Sequence, residues 1–174
     1  MEEFTAFGSR EYCILLACVA FARAMDFLST WVATPNLLLE ANPIARKMGW
    51  KFGIAINVVL CFLFAFWPLP AVVITTTSLL VAARNFQSAW VMRSMGESNY
   101  RLWMTERLMQ TPRALLFGCI LAQALLYTLL GAALMYFARW WLVPFGIGLG
   151  MITYALAVTV YTTISVWRAA FRRL

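Results

Sequence analysis

The sequence contains long apolar stretches, each about as long as a membrane-crossing helix. A helix needs roughly 20 apolar residues to cross the hydrocarbon core of a bilayer. Five stretches of about that length occur, at about residues 12–33, 50–67, 71–92, 114–137 and 145–167. Since helices satisfy all their backbone polar groups internally, we expect an all-α, polytopic bundle of five transmembrane helices. We expect the whole chain, residues 1–174, to form a single domain.

The composition supports a membrane protein and narrows the chemistry. Hydrophobic residues make up 63% of the chain and charged residues 12%, against about 25% charged residues in soluble domains. The chain has no histidine, which excludes imidazole bases and histidine-ligated metals. Its four cysteines lack the spacing of a metal or redox site. We therefore assign no catalytic or metal-binding residue, expect no cofactor, and favour a protein that is not an enzyme.

The basic residues predict the orientation of the bundle. With five spans, ten of the fourteen basic residues fall on one side: Arg46, Lys47, Lys51, Arg93, Arg101, Arg107, Arg113, Arg168, Arg172 and Arg173. Only Arg10 and Arg139 fall on the other side. Cytoplasmic loops carry the excess of Lys and Arg, so we expect the N-terminus outside and the C-terminus in the cytoplasm. This distribution suits contact with anionic lipids, and it argues against nucleic acid as a partner.

Three charged residues lie inside the predicted spans: Arg23, Asp26 and Arg84. Each costs about 2.5 to 3.5 kcal/mol at a helix centre, so such residues normally face the bundle and find partners. At 1.5 Å per residue, Asp26 and Arg84 lie about 10 and 13 Å from the inner ends of their spans. The matching depths predict an ion pair between the helices containing Asp26 and Arg84, with Arg23 sharing the carboxylate.

Further polar residues occur at a similar depth. Thr30 follows Asp26 by one helical turn, Asn57 lies in the second span, and Asn85 follows Arg84. The polar residues are concentrated in the cytoplasmic halves of the spans. This pattern predicts either a polar cavity that opens inward or a buried network that joins the helices.

The loop after the first span contains Glu-Ala-Asn-Pro, residues 40–43. Asn42 followed by Pro43 is typical of an N-cap and the first position of a helix. The order of Asp26, Thr30, Glu40, Asn42 and Pro43, with Lys51 opening the next span, resembles a motif in small bacterial integral membrane proteins of uncharacterised function. The resemblance covers residues 23–51 and excludes the last two spans. It implies the inner membrane of a bacterium as the location, and it implies that the first four of these residues form one site, without naming an activity.

Packing signals are weaker. Gly146 and Gly150 form a GxxxG pair that permits close helix packing, and Ala20 and Ala24 have the same spacing. The polar stretch before the fourth span predicts a short interfacial helix in which Glu97 pairs with Arg101.

These patterns leave three functional hypotheses. The first is a protein that binds or transports a small polar or zwitterionic solute, with proton coupling through Asp26 as one version. Its predicted binding residues are Arg23, Asp26, Thr30, Glu40, Asn42, Asn57, Arg84 and Asn85. Since five spans are few for an independent transporter, we expect a homodimer or a partner membrane subunit. The second is an accessory or assembly subunit of a larger membrane complex. The third is an enzyme acting on a phospholipid-type substrate with a hard metal ion.

Overall fold

The computed structural model describes residues 4–40, 42–139 and 141–171. Within these residues the secondary structure consists of six helices: α1 Arg10–Ala33, α2 Pro43–Phe64, α3 Pro68–Met95, α4 Glu97–Gln110, α5 Arg113–Phe137 and α6 Leu142–Phe171. All except α4 are long and apolar enough to cross a membrane. The basic residues Arg172 and Arg173, counted in the prediction of orientation, lie outside the described residues.

The helices begin where the sequence offers caps and prolines. The side chain of Ser9 accepts a hydrogen bond from Tyr12 N at the start of α1. The side chain of Asn42 caps α2, and Pro43 occupies its first turn, so this part of the prediction is confirmed. Pro68 opens α3 in the same way, because a helix makes no internal use of the first backbone N–H groups.

The observed helix bounds correct two predicted spans. The span predicted at 50–67 ends at Phe64, and the span predicted at 71–92 begins at Pro68 and continues to Met95. The turn between these helices therefore consists of residues 65–67, before the prolines. The short helix predicted from the polar stretch is present as α4.

Helix α2 contains a break at Gly49, whose φ of 67° and ψ of −178° are not helical. This backbone conformation is almost restricted to glycine. The break separates a short N-terminal segment from the apolar part that begins near Trp50. It explains why the apolar pattern alone placed the start of this span at residue 50.

Helix α3 is the centre of the bundle. It packs on α1 along one face and on α6 along another, while α5 packs on the far side of α6 and α2 packs loosely on α1. The contact of α1 with α3 uses small or buried residues on both helices: Val19, Ala22, Ser29, Ala71, Ser78 and Ala82. The loop from α1 to α2 lies at the same end of the bundle as the start of α4, because Glu97 hydrogen-bonds to Thr34 and Asn36.

Glycines allow α6 to approach two helices closely. A Cβ atom at Gly146 would lie 2.8 Å from Val72 Cγ1, and one at Gly150 would lie 2.7 Å from Thr76 Cβ, both on α3. The predicted packing role of this pair is confirmed. A Cβ atom at Gly148 would lie 2.5 Å from the carbonyl oxygen of Gly131 on α5. By contrast, Ala20 and Ala24 are exposed, and the buried small residue of that segment is Ala22.

Candidate functional site

Helices α1 and α3 place polar side chains opposite each other. Arg23 bonds to Ser78, and Thr30 bonds to Asn85. Both pairs are separated by 55 residues in the sequence. The constant separation shows that α1 and α3 run parallel and in register over two turns. Residues seven apart on one helix therefore face residues seven apart on the other, as in a heptad repeat.

Arg23 is the centre of the polar contacts on α1. Its NH1 atom lies 2.7 Å from Asp26 Oδ2, which makes an i,i+3 salt bridge within the helix. Its Nε donates to Asn57 Oδ1 on α2 at 2.7 Å, and NH1 also donates to Ser78 Oγ on α3 at 3.1 Å. We call Arg23, Asp26, Asn57 and Ser78 the Arg23 cluster. The contacts come from three helices and hold the guanidinium in one position.

Two polar atoms of this cluster remain available to a ligand. Among the described residues, neither Arg23 NH2 nor Asp26 Oδ1 has a hydrogen-bond partner. The side chains of Arg23 and Asp26 are 28% and 17% exposed, so they lie at the edge of the helix contact instead of being fully enclosed. The ring of Phe27 lies 5.7 Å from Arg23 Cζ and covers one face of the guanidinium.

The next turn of α1 continues the polar face. Asn85 Nδ2 donates to Ser29 Oγ at 3.3 Å and to Thr30 Oγ1 at 3.2 Å. The structure thus brings Thr30 and Asn85 together, one turn from Asp26.

The predicted ion pair between Asp26 and Arg84 is wrong. Asp26 pairs with Arg23, whereas Arg84 turns to α6, where NH2 lies 3.5 Å from Thr162 Oγ1. Its guanidinium also lies near Tyr154, a buried tyrosine of α6. The depth argument fixed the position of Arg84 along the axis of α3, but not its direction around that axis. Asn85, one residue later, is the residue that faces α1.

Arg84 therefore belongs to a second polar group, between α3, α5 and α6. The ring of Tyr154 meets that of Tyr127 edge-on, with centroids 4.9 Å apart, and Arg84 lies near Tyr154. We call Arg84, Tyr127, Tyr154 and Thr162 the Arg84 cluster. The predicted single site is thus divided into two by helix α3.

The two polar residues of the Glu-Ala-Asn-Pro loop, Glu40 and Asn42, have different roles. The side chain of Asn42 is used as a helix cap, accepting from Ile44 N at 2.9 Å, so it has the structural role of an N-cap. Glu40 Oε1 accepts from Asn42 N at 2.8 Å. The carboxylate of Glu40 also interacts electrostatically with Asp26, which adds a second negative charge to the surroundings of the Arg23 cluster.

Glu97 is an organising residue that the sequence argument misjudged. Instead of pairing with Arg101, its Oε2 accepts from Thr34 Oγ1 at 2.8 Å and from Leu38 N at 2.9 Å. Its Oε1 accepts from Asn36 N at 2.8 Å and Asn36 Nδ2 at 3.0 Å. Glu97 is buried and joins the α1–α2 loop to the start of α4. No pattern in one sequence connects positions separated by about sixty residues.

The charge state of Glu97 follows from these bonds. Burial by itself raises the pKa of this carboxyl, but donors from Asn36, Thr34 and Leu38 outweigh that effect and lower the pKa below its ordinary value. Stabilisation of the charged form by several donors is the physical cause. Glu97 is therefore a charged acceptor that holds the loop.

Comparison with models of protein families, with curated proteins and with solved structures finds no match to this chain. Within the described part of the chain, no group of three or more His, Cys, Asp and Glu residues could hold a metal ion. The functional interpretation therefore depends on the geometry of the two clusters.

Proposed function

We propose that this chain is a multi-pass membrane protein that binds a small polar or zwitterionic solute at the Arg23 cluster and carries it across the membrane. The observation that carries the proposal is the pair of atoms Arg23 NH2 and Asp26 Oδ1, which have no hydrogen-bond partner among the described residues, in a cluster whose other atoms are held by neighbouring helices. A zwitterion could place its acidic group on the guanidinium and its amine on the carboxylate.

The charges refine the solute class. With Arg84 directed to α6, the surroundings of the Arg23 cluster contain one guanidinium and two carboxylates, Asp26 and Glu40. The formal sum of these charges is negative, which favours a solute with an amine or ammonium group over a simple anion. Protonation of Asp26 would also reduce the negative charge around the Arg23 cluster.

The proposed setting is the inner membrane of a bacterium, with the end of the bundle that contains Glu40 and Glu97 in the cytoplasm. The support is the excess of basic residues at that end. In this orientation the Arg23 cluster lies near the middle of the bundle, with Asp26 on the cytoplasmic side of Arg23. We propose a second copy or a partner subunit as the other wall of the transport path.

The test is a thermal-stability screen of the purified protein in a neutral detergent against amino acids and betaines, followed by uptake into proteoliposomes. We expect at least one zwitterion to raise the melting temperature of the wild-type protein. Asp26→Asn should abolish this shift and the uptake, because it removes the negative charge while keeping the side-chain size. Glu11→Gln, on the exposed surface of the same helix, is the matched control and should behave as wild type.

A response of Asp26→Asn equal to that of wild type would contradict the proposal. So would the failure of every zwitterion to stabilise the wild-type protein.

A second candidate function is an accessory subunit of a membrane complex, in which the Arg23 cluster only joins helices. The observation in its favour is that Arg23 bonds to side chains of three helices. In this case Asp26→Asn would lower stability without any solute dependence in the wild-type protein. The enzyme hypothesis has the least support. It needs oxygen groups for a hard metal ion, but Asp26 is used in a salt bridge and Asn42 in a helix cap.

A further inference from the structure

The Arg84 cluster contains a positive charge without a negative partner. Within the described residues, no carboxylate lies within salt-bridge distance of Arg84, and the salt bridge that forms is that of Arg23. Arg84 is three residues past the midpoint of α3, deep in a helix long and apolar enough to span the membrane. Charged groups at this depth normally pair with an opposite charge, and here the surrounding groups are hydroxyls.

A small cavity adjoins these groups. Its volume is about 10 Å³, which is room for about one water-sized atom. Its walls come from α5 and α6 and include Gln123, Tyr127, Tyr154 and Thr162. Arg84 contacts Thr162 and interacts with Tyr154, so the guanidinium is next to the cavity.

The polar groups that line the cavity are suited to a ligand that accepts hydrogen bonds and donates none. Thr162 Oγ1 accepts from Arg84, so its own proton can point elsewhere. Tyrosine hydroxyls and the glutamine amide also supply donors. An anion next to the guanidinium would use the donors and neutralise the charge together, which a water molecule would not do.

We propose that the cavity between α5 and α6 is a binding site for a free halide ion. The ion is held by hydroxyl donors beside Arg84. This site is separate from the Arg23 cluster, and it does not depend on solute binding there.

The experiment measures the melting temperature of the delipidated full chain in neutral detergent under two sets of conditions. In the first, sodium chloride replaces sodium gluconate at constant ionic strength, so that general screening is unchanged. In the second, dioleoyl phosphatidylglycerol replaces dioleoyl phosphatidylcholine. We expect chloride to raise the melting temperature by about 3 to 6 °C at saturating concentration. The acidic lipid should give no shift that depends on Arg84, because its headgroup lies at the membrane surface and Arg84 lies near the middle of α3.

The variants separate the site from general attraction of anions. Arg84→Gln should lose the shift, whereas Arg93→Gln, at the exposed end of the same helix, should keep it. Thr162→Val keeps the shape and the charge of the site, and should weaken the apparent anion affinity about three- to tenfold. It provides the test if Arg84→Gln does not fold.

The two conditions distinguish a free ion from a lipid headgroup. A chloride shift that depends on Arg84 supports the proposal, whereas a phosphatidylglycerol shift that depends on Arg84 contradicts it. The proposal is overturned if chloride does not stabilise the wild-type protein. It is also overturned if Arg84→Gln or, where that variant does not fold, Thr162→Val responds as the wild type does.

Discussion

The contact of α1 with α3 and the contact of α5 with α6 join helices by different means. The first uses a heptad-like register with side-chain hydrogen bonds, from Arg23 to Ser78 and from Asn85 to Thr30. The second depends on glycines, because Gly131 and Gly148 have no side chains and allow the two backbones to approach closely. The two contacts should therefore respond to different kinds of substitution.

The difference extends to the buried arginines. Arg23 is neutralised inside its own helix by Asp26, whereas Arg84 meets hydroxyls of α6. A buried arginine that has a carboxylate partner destabilises the fold only when that partner is removed. A buried arginine without a carboxylate partner destabilises the fold unless another group supplies the negative charge. Replacing Arg23 by an uncharged residue should therefore lower stability, whereas the same replacement of Arg84 should not.

The largest effect is expected at the paired arginine. Asp26→Asn should lower the free energy of unfolding by about 3 kcal/mol, because it leaves Arg23 without a counter-charge in a low-dielectric contact. Unfolding in mixed detergent micelles measures this value. Arg23→Gln in the Asp26→Asn background should recover part of the loss. If the double variant is as unstable as the sum of the single variants, the two residues do not act as a pair.

Adding a single methyl group by substitution should disrupt the contact between α5 and α6. Gly148→Ala places a Cβ atom 2.5 Å from a backbone oxygen of Gly131 and 2.7 Å from Met135 Cγ, so we expect a loss of about 2 kcal/mol. Gly118→Ala, on the exposed part of α5 with nothing within 4 Å, is the control and should be neutral or slightly stabilising. Equal effects at Gly148 and Gly118 would contradict the close approach of the backbones.

The loop held by Glu97 should respond to pH and to an amide substitution. The pKa of Glu97 is held below its ordinary value, so its contribution is complete above the unfolded-state pKa and is lost as the pH falls through the folded-state pKa. Glu97→Gln should cost about 1 to 2 kcal/mol, since it weakens acceptors of several hydrogen bonds. Hydrogen exchange at Asn36 and Leu38 measures the loss. Protection that is unchanged in the variant would show that the loop is held by other contacts.

The smallest effect, and the one with the opposite sign, is expected at Arg84. Arg84→Met should leave stability unchanged or raise it by about 1 kcal/mol in a buffer without small anions, because it removes a charge that lacks a carboxylate partner. Arg23→Met should lower stability, since Asp26 is then left alone. The same unfolding assay measures both. A loss at Arg84 as large as that at Arg23 would show that the two arginines are equally well paired.

Helix content and the main helix boundaries could be predicted from the sequence, because apolar length and proline positions are local signals. The cap at Asn42 was predictable for the same reason. The direction in which a residue points around its helix axis could not be predicted. Apolar residues surround a membrane helix on most sides, so α3 has no strong periodicity to show that Asn85 faces α1 and Arg84 faces α6. The role of Glu97 was hidden because its partners are backbone and side-chain groups of a loop that is distant in the sequence.

The parallel register of α1 and α3 has a consequence for the synthesis of the protein. The principal neighbour of α1 is not the next span but the one after it, so a nascent chain that ends before Ser78 lacks both Ser78 and Asn85. The i,i+3 spacing of Arg23 and Asp26 lets the first span carry its own counter-ion through the translocon while it waits for that neighbour.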